Sequence, residues 1–157
     1  MVALGFSDYA EGTFAFAADL AKSLDADILV ASIINERDVE AVQTISAMGY
    51  DVDGEHYSEG IRNERKDLLA RFQNELDFPR ERVDVTFRTG NPIDELLKLC
   101  VEQSVDMIVM GVKGRTDLES VFVGSLAEKI FRRAPVTVVS YRDPVNAAKL
   151  KKRIQFK

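Results

Sequence analysis

Short apolar runs alternate with segments of helical periodicity along the chain, and this alternation limits the folds that the sequence can adopt. Continuous apolar runs are typical of strands buried on both faces of a sheet. We predict strands at Val2 to Phe6, Ile28 to Ile34, Val83 to Phe87, Met107 to Gly111 and Val136 to Val139. Strands separated by helices in this way predict one α/β domain with an open, mostly parallel sheet, right-handed crossovers and helices on both faces.

Capping residues and helical spacing predict where the helices begin. Asp8 and Glu11 have the spacing of a capping box, ahead of a helix that continues to Leu24. In Asn91-Pro92 a cap residue precedes a proline at the first helical position. The other predicted helices are Asp38 to Met48, Tyr57 to Leu76, Pro92 to Gln103 and Ser125 to Arg133.

Charge and apolar patterning exclude several classes of protein. The formal net charge of −5 argues against a protein that coats the phosphates of long nucleic acids. No apolar run approaches the ~20 residues that cross a bilayer, and the amino terminus lacks a basic leader followed by an apolar stretch. A single cysteine, Cys100, agrees with a reducing compartment. We therefore predict a cytoplasmic protein with no membrane span and no nucleic-acid partner.

A basic tail, residues 143–157, follows the last predicted strand, and Asp143 is its only acidic residue. A solvated and partly mobile terminus is the simplest interpretation of such a segment. Docking to another protein is the alternative.

The segment from Gly111 to Ser125 lies between a buried strand and the amino terminus of a helix. Glycines allow a sharp turn and a close approach to a ligand, and the first amides of a helix attract anions. Lys113 and Arg115 add positive charge. Each residue also has a structural explanation, since Ser125 and Glu128 form a capping box that satisfies the helix end without a ligand. The segment is not a P-loop, because it contains no Gly-Lys-Ser/Thr tripeptide.

This segment resembles the universal stress protein family, whose ATP-binding members carry Gly-x2-Gly-x9-Gly-Ser/Thr at this turn. Gly111, Gly114, Gly124 and Ser125 match every position of that pattern. Gly90-Asn91-Pro92 resembles the family's Gly-x-Pro turn, and Gly5-Phe6-Ser7 partly resembles its Asp-Phe-Ser turn. The resemblance covers residues 1–142, which we predict to be one universal stress protein domain. It implies a five-stranded parallel sheet of order 3-2-1-4-5, of the adenine nucleotide alpha hydrolase-like type.

The resemblance also implies a site for ATP or AMP, with Mg²⁺ as a further candidate ligand, where the ends of the first and fourth strands meet. In the family's arrangement the base is flanked by Ala3, Leu4, Gly5 and Ile33. Ribose and phosphates are held by Gly111, Gly114, Arg115, Gly124, Ser125 and Leu126. The family usually has aspartate where this chain has Gly5. Loss of that carboxylate weakens base or ribose recognition, removes a metal ligand or opens space for another ligand.

Other chemically capable residues have structural explanations. His56 has no cysteine nearby and is expected to be a loop or helix residue, and Cys100 lies on an apolar helix and is expected in the core. Asp94 and Glu95 occupy a helix's first turn, where acids favour the dipole. Phe6 and Phe122 are expected to be core residues beside strands.

Two functional hypotheses remain open. The leading one is a nucleotide-binding regulatory or stress-response protein that forms a homodimer through its last strand, as the family does. The alternative is an interaction module without a nucleotide, acting through the last strand or the basic tail. Slow ATP hydrolysis is the weakest hypothesis, because no base for attacking water is identified.

Overall fold

The computed structural model describes residues 1–5, 7–49, 53–112 and 125–154. Strands and helices alternate along these residues, as the sequence predicts. The strands are β1 (Val2–Ala3), β2 (Ile28–Asn35), β3 (Val83–Gly90), β4 (Met107–Gly111) and β5 (Thr137–Tyr141). The helices are α1 (Ala10–Leu24), α2 (Glu36–Ala47), α3 (Gly54–Glu75), α4 (Pro92–Glu102), α5 (Ser125–Arg133) and α6 (Pro144–Lys151), with a short 3-10 helix at Arg80–Arg82.

The strands form one five-stranded sheet of order β3-β2-β1-β4-β5, and every pairing is parallel. This confirms the predicted fold class and strand order. In β1, Ala3 pairs with Ala31 of β2 on one side and with Met110 of β4 on the other. The strand order therefore reverses at β1, between β2 and β4.

Alternate residues of the strands face two separate apolar clusters. On one face, Val30 and Val109 pack with Phe14 of α1 and Leu69 of α3. On the other face, Ala31, Ile108 and Met110 pack with residues of α4 and α5, among them Leu99 and Ile130. Because side chains alternate along a strand, each central strand contributes to both clusters. The helices thus cover both faces of the sheet, as predicted.

Several element limits differ from the sequence predictions. Strand β1 ends at Ala3, not Phe6, and Phe6 itself lies outside the described residues. The Asp8–Glu11 capping box is wrong: Tyr9 precedes α1 and no side chain caps that helix. Helices α2 and α3 begin earlier than predicted, because Asn35 and Asp53 cap them by accepting hydrogen bonds from backbone amides.

Helix α6 was not predicted. The Asp143 side chain accepts a hydrogen bond from the Asn146 amide at 3.0 Å, and Pro144 occupies the start of the helix. This cap followed by proline repeats the Asn91-Pro92 pattern that did predict α4. Across the described part of the chain, no helix has the length and apolar character needed to cross a membrane.

Candidate functional site

The carboxyl edge of the sheet is uneven around β1. Leu4 donates its amide to the Ala31 carbonyl at 3.0 Å, and the chain then leaves the sheet while β2 continues to Asn35. On the other side, β4 continues past Met110, the partner of Ala3, to Gly111. A crevice outside the carboxyl ends, at the point where strand order reverses, is where open α/β sheets bind ligands.

Gly5 follows this strand end and is exposed. A Cβ atom built on Gly5 would meet no atom within 4 Å among the described residues. Space beside the end of β1 is therefore open, and the backbone there is accessible to a ligand.

Three of the predicted site residues lie together on one face of the sheet. Ala3, Ile33 and Leu126 are partly buried and pack against the same apolar cluster, beneath α4 and α5. Leu4 points to the opposite face and is buried. The first three therefore present partly exposed apolar surface at the carboxyl edge, while Leu4 holds the end of β1 against α1.

The amino end of α5 lies at the same edge. Helix α5 connects β4 to β5 and packs through Ala127 and Ile130, so a right-handed crossover places its first residue, Ser125, near the carboxyl ends. Ser125 is exposed there. Free amides in the first turn and the positive end of the helix dipole attract anions.

The glycine pattern between β4 and α5 is described only at its ends. Gly111 pairs with Tyr141 of β5, and Ser125 is the first residue of α5. Lys113, Gly114, Arg115, Phe122 and Gly124 lie outside the described residues. The Ser125–Glu128 capping box stays a prediction, because the residue before α5 also lies outside the described residues. The Glu128 carboxylate forms an ion pair with Arg132 at 2.9 Å.

Sequence analysis missed a buried arginine at this edge. Arg65 of α3 is 6% exposed and donates to the Ser32 hydroxyl at 2.6 Å and to the Ile33 carbonyl at 3.2 Å. Both polar residues interrupt apolar patterns: Ser32 lies inside the run Ile28 to Ile34, and Arg65 lies four residues before the buried Leu69. Two such interruptions on neighbouring elements were the available signal for a buried pair.

Arg65 occupies the gap that β1 leaves. The Ala31 carbonyl points toward β1, because it accepts the Leu4 amide. Carbonyls alternate in direction along a strand, so the Ile33 carbonyl points to the same side, beyond the last residue of β1. The guanidinium of Arg65 thus replaces a missing strand partner next to the crevice.

The remaining candidate residues have structural contacts. His56 lies in the first turn of α3, with Nδ1 3.3 Å from the Asp53 carboxylate. Cys100 is buried as predicted, and burial raises the pKa of its thiol. Within the described ranges, no three or more His, Cys, Asp or Glu residues are grouped so as to hold a metal ion.

The two acids of α4 are held in ion pairs. Asp94 pairs with Arg133 at 3.1 Å. Glu95 accepts from Lys98 at 2.6 Å and from Arg88 at 3.4 Å, and the bond from Lys98 lowers the pKa of the Glu95 carboxyl. These contacts tie α4 to β3 and α5.

The fold suggests a relationship to a known protein family, and a match to a family model identifies that family. The model of the universal stress protein family matches residues 1–142. The chain belongs to this family. Universal stress protein YxiE of Bacillus subtilis is 28% identical over 145 residues, which cover 88% of this chain and 96% of YxiE. Universal stress protein MJ0577 of Methanocaldococcus jannaschii is 26% identical over 133 residues, which cover 78% of this chain and 82% of that protein.

Solved structures show the same fold. The structure of MJ0577 superposes with a TM-score of 0.68 at 24% identity, covering 90% of this universal stress protein and 96% of that chain. A universal stress protein in complex with cAMP superposes with a TM-score of 0.57 at 21% identity, covering 90% and 95% of the two chains.

The Arg65–Ser32 contact predicts the effect of Ser32→Ala on stability. We expect the free energy of unfolding to fall by about 1–3 kcal/mol, because the change removes a partner from a buried charged donor. Denaturant unfolding measures the loss. Ser23→Ala is the matched control, since the exposed Ser23 hydroxyl donates to the Asp19 carbonyl of its own helix. Equal stability of the two variants would contradict a stabilising role for the buried contact.

Proposed function

We propose that this universal stress protein binds an adenine nucleotide, ATP or AMP, and acts in the cytoplasm as a nucleotide-responsive regulatory protein in a stress response. The observation that carries the proposal is the strand reversal at β1, where the ends of β1 and β4 and the start of α5 lie at one edge. The glycine pattern from Gly111 to Ser125 connects two of these three elements.

The phosphate half of the proposed site is on the β4–α5 side. Exposed Ser125 and the first amides of α5 supply donors, and the helix dipole favours negative charge. Gly114, Gly124 and Arg115 complete this half of the site. Arginine is suited to phosphate because its planar fork of donors matches phosphate oxygens.

The base half is on the β1–β2 side. Ala3, Ile33 and Leu126 offer partly exposed apolar surface against which an adenine ring packs. Pockets for small ligands commonly combine such apolar lining with a few polar groups. The solved family member in complex with cAMP supports an adenine nucleotide as the ligand class.

Among the described residues, no three or more His, Cys, Asp or Glu side chains are grouped to hold a magnesium ion directly at this edge. Mg²⁺ prefers carboxylate and phosphate oxygens, and Gly5 supplies no carboxylate at the position where the family usually has aspartate. The nucleotide alone is therefore the proposed ligand of the protein side chains.

Gly114→Asp tests the phosphate half. We expect ATP affinity to fall by about a hundredfold or more, because the proposed site brings a new negative charge at residue 114 next to phosphate, and like charges in a binding site cost several kcal/mol. Isothermal titration calorimetry measures the change. Gly60→Asp is the matched control, since Gly60 is exposed on α3 and has open space around it.

Two results would contradict this proposal. One is the absence of binding to the unaltered protein at millimolar ATP. The other is an equal ATP affinity for Gly114→Asp and Gly60→Asp, which would mean that the phosphates do not bind at the glycine turn.

We further propose that the protein forms a homodimer through β5, which is the last strand at one edge of the sheet. The Tyr141 carbonyl accepts the Val112 amide, so the peptide groups of alternate residues, including Ser140, face away from β4. An unpaired strand edge of this kind recruits a second strand.

Ser140→Pro tests the dimer, because proline removes an outward amide while the ladder to β4 keeps its donors. We expect a dimer for the unaltered protein and for Ser140→Ala, and a monomer for Ser140→Pro, measured by analytical ultracentrifugation. A monomeric unaltered protein, or a dimeric Ser140→Pro, would contradict the assignment.

A further inference from the structure

An open groove of about 690 Å³ lies at the amino edge of the sheet, opposite the edge of the proposed nucleotide site. Its apolar lining comes from the amino ends of β1, β2 and β4 and from the last turns of α1, where Leu24 is 57% exposed. Four aspartates also line this amino-edge groove: Asp25, Asp27, Asp84 and Asp106.

The aspartates give the amino-edge groove a net negative charge. Arg82 offsets part of it, since its guanidinium pairs with Asp25 at 2.8 Å and with Asp27 at 2.6 Å. Asp84 and Asp106 are exposed, and across the ranges that the structure describes neither forms an ion pair with a lysine or an arginine. The groove therefore fits a segment that carries both apolar and basic side chains.

The end of the chain has this complementary composition. Residues 149–154 carry four cations interspersed with Leu150 and Ile154. Helix α6 has no buried residue, and Ile154 is 61% exposed. Backbone hydrogen bonds from the amides of Lys152 and Arg153 to α6 carbonyls continue the helical turns beyond the helix itself. This basic end is thus an ordered segment with exposed apolar and basic side chains.

The proposed homodimer brings the basic end of one chain toward the amino-edge groove of the other. A two-fold axis that joins β5 to β5 exchanges identical edges and makes the two strands antiparallel. The carboxyl edge of one sheet then continues into the amino edge of its neighbour. Within a single chain, by contrast, α6 begins at the carboxyl edge and the groove lies at the opposite edge.

The length of α6 matches the distance across the joined sheets. Strands β4 and β1 of the second copy lie two and three strand spacings from β5, or roughly 10 and 14 Å. Helix α6 has 8 residues and spans about 12 Å. Residues 152–154, at its end, therefore reach the level of the second copy's groove.

We propose that the basic end of the chain, residues 149–154, docks into the amino-edge groove of a second copy. The inference rests on the proposed β5 homodimer, which supplies the antiparallel arrangement. The stems of the basic side chains pack on the apolar lining, while their charged groups pair with Asp84 and Asp106. Two-fold symmetry repeats the contact, so that each dimer contains two such contacts.

Charge reversal tests the contact, with the dimer dissociation constant measured by sedimentation equilibrium at low salt. Lys152→Glu/Arg153→Glu and Asp84→Lys/Asp106→Lys are each expected to raise this constant about tenfold or more, because like charges then face one another. Combining the four substitutions restores opposite charges. We expect the combined variant to return to within about threefold of the unaltered protein.

Glu64→Lys/Asp67→Lys is the matched control for the groove variant. It makes the same change in net charge at two exposed acids of α3 that do not line the groove. We expect this variant to dimerise like the unaltered protein. An equal weakening in the control makes net charge the cause and overturns the docking contact.

The outcomes separate this inference from the proposed β5 homodimer. A dimer that neither reversal weakens, or that the combined variant fails to restore, overturns the docking and leaves the β5 dimer standing. An unaltered protein that stays monomeric overturns both. A dimer that persists in Ser140→Pro, yet weakens in both reversals and recovers in the combined variant, supports the docking and overturns β5 as the joined edge.

Discussion

Hydrogen bonds from β1 to both of its neighbours hold the two halves of the sheet together. Within the described residues, β1 alone joins the β2–β3 half of the sheet to the β4–β5 half. It pairs at Val2 and Ala3, and flanking contacts from Leu4 to Ala31 and from Val109 to Met1 extend the pairing on each side. Because the strand is short, the chain leaves the sheet early and opens the edge at which the proposed ligand lies.

The five strands and their order could be predicted well from the sequence, because the apolar patterns that specify them extend over whole strands and helices. Apolar runs such as Met107 to Gly111 specify buried strands, and their alternation with helices specifies parallel pairing. Element ends were predicted less well, since they depend on single contacts. The Asp8 side chain does not cap α1, whereas Asp53 and Asn35 cap helices that the apolar pattern placed later in the chain.

The candidate site was only partly predictable, for a different physical reason. The glycine pattern and the strand ends are local in sequence, so a family resemblance can assign them. The Arg65–Ser32 contact joins residues 33 positions apart, and neither residue type alone indicates a buried partner. The apolar patch of Ala3, Ile33 and Leu126, the start of α5 and the Arg65 guanidinium all lie at the carboxyl edge near the end of β1.

We propose above that a ligand binds at the carboxyl edge around β1. Backbone amide NMR during titration with ATP tests this most directly, since each amide reports its own surroundings. We expect chemical-shift changes concentrated at Leu4, Gly5, Gly111 and Ser125, with little change at Ala26 and Val105 near the amino edge. Changes confined to the amino edge, or none at millimolar ATP, would contradict binding at the carboxyl edge.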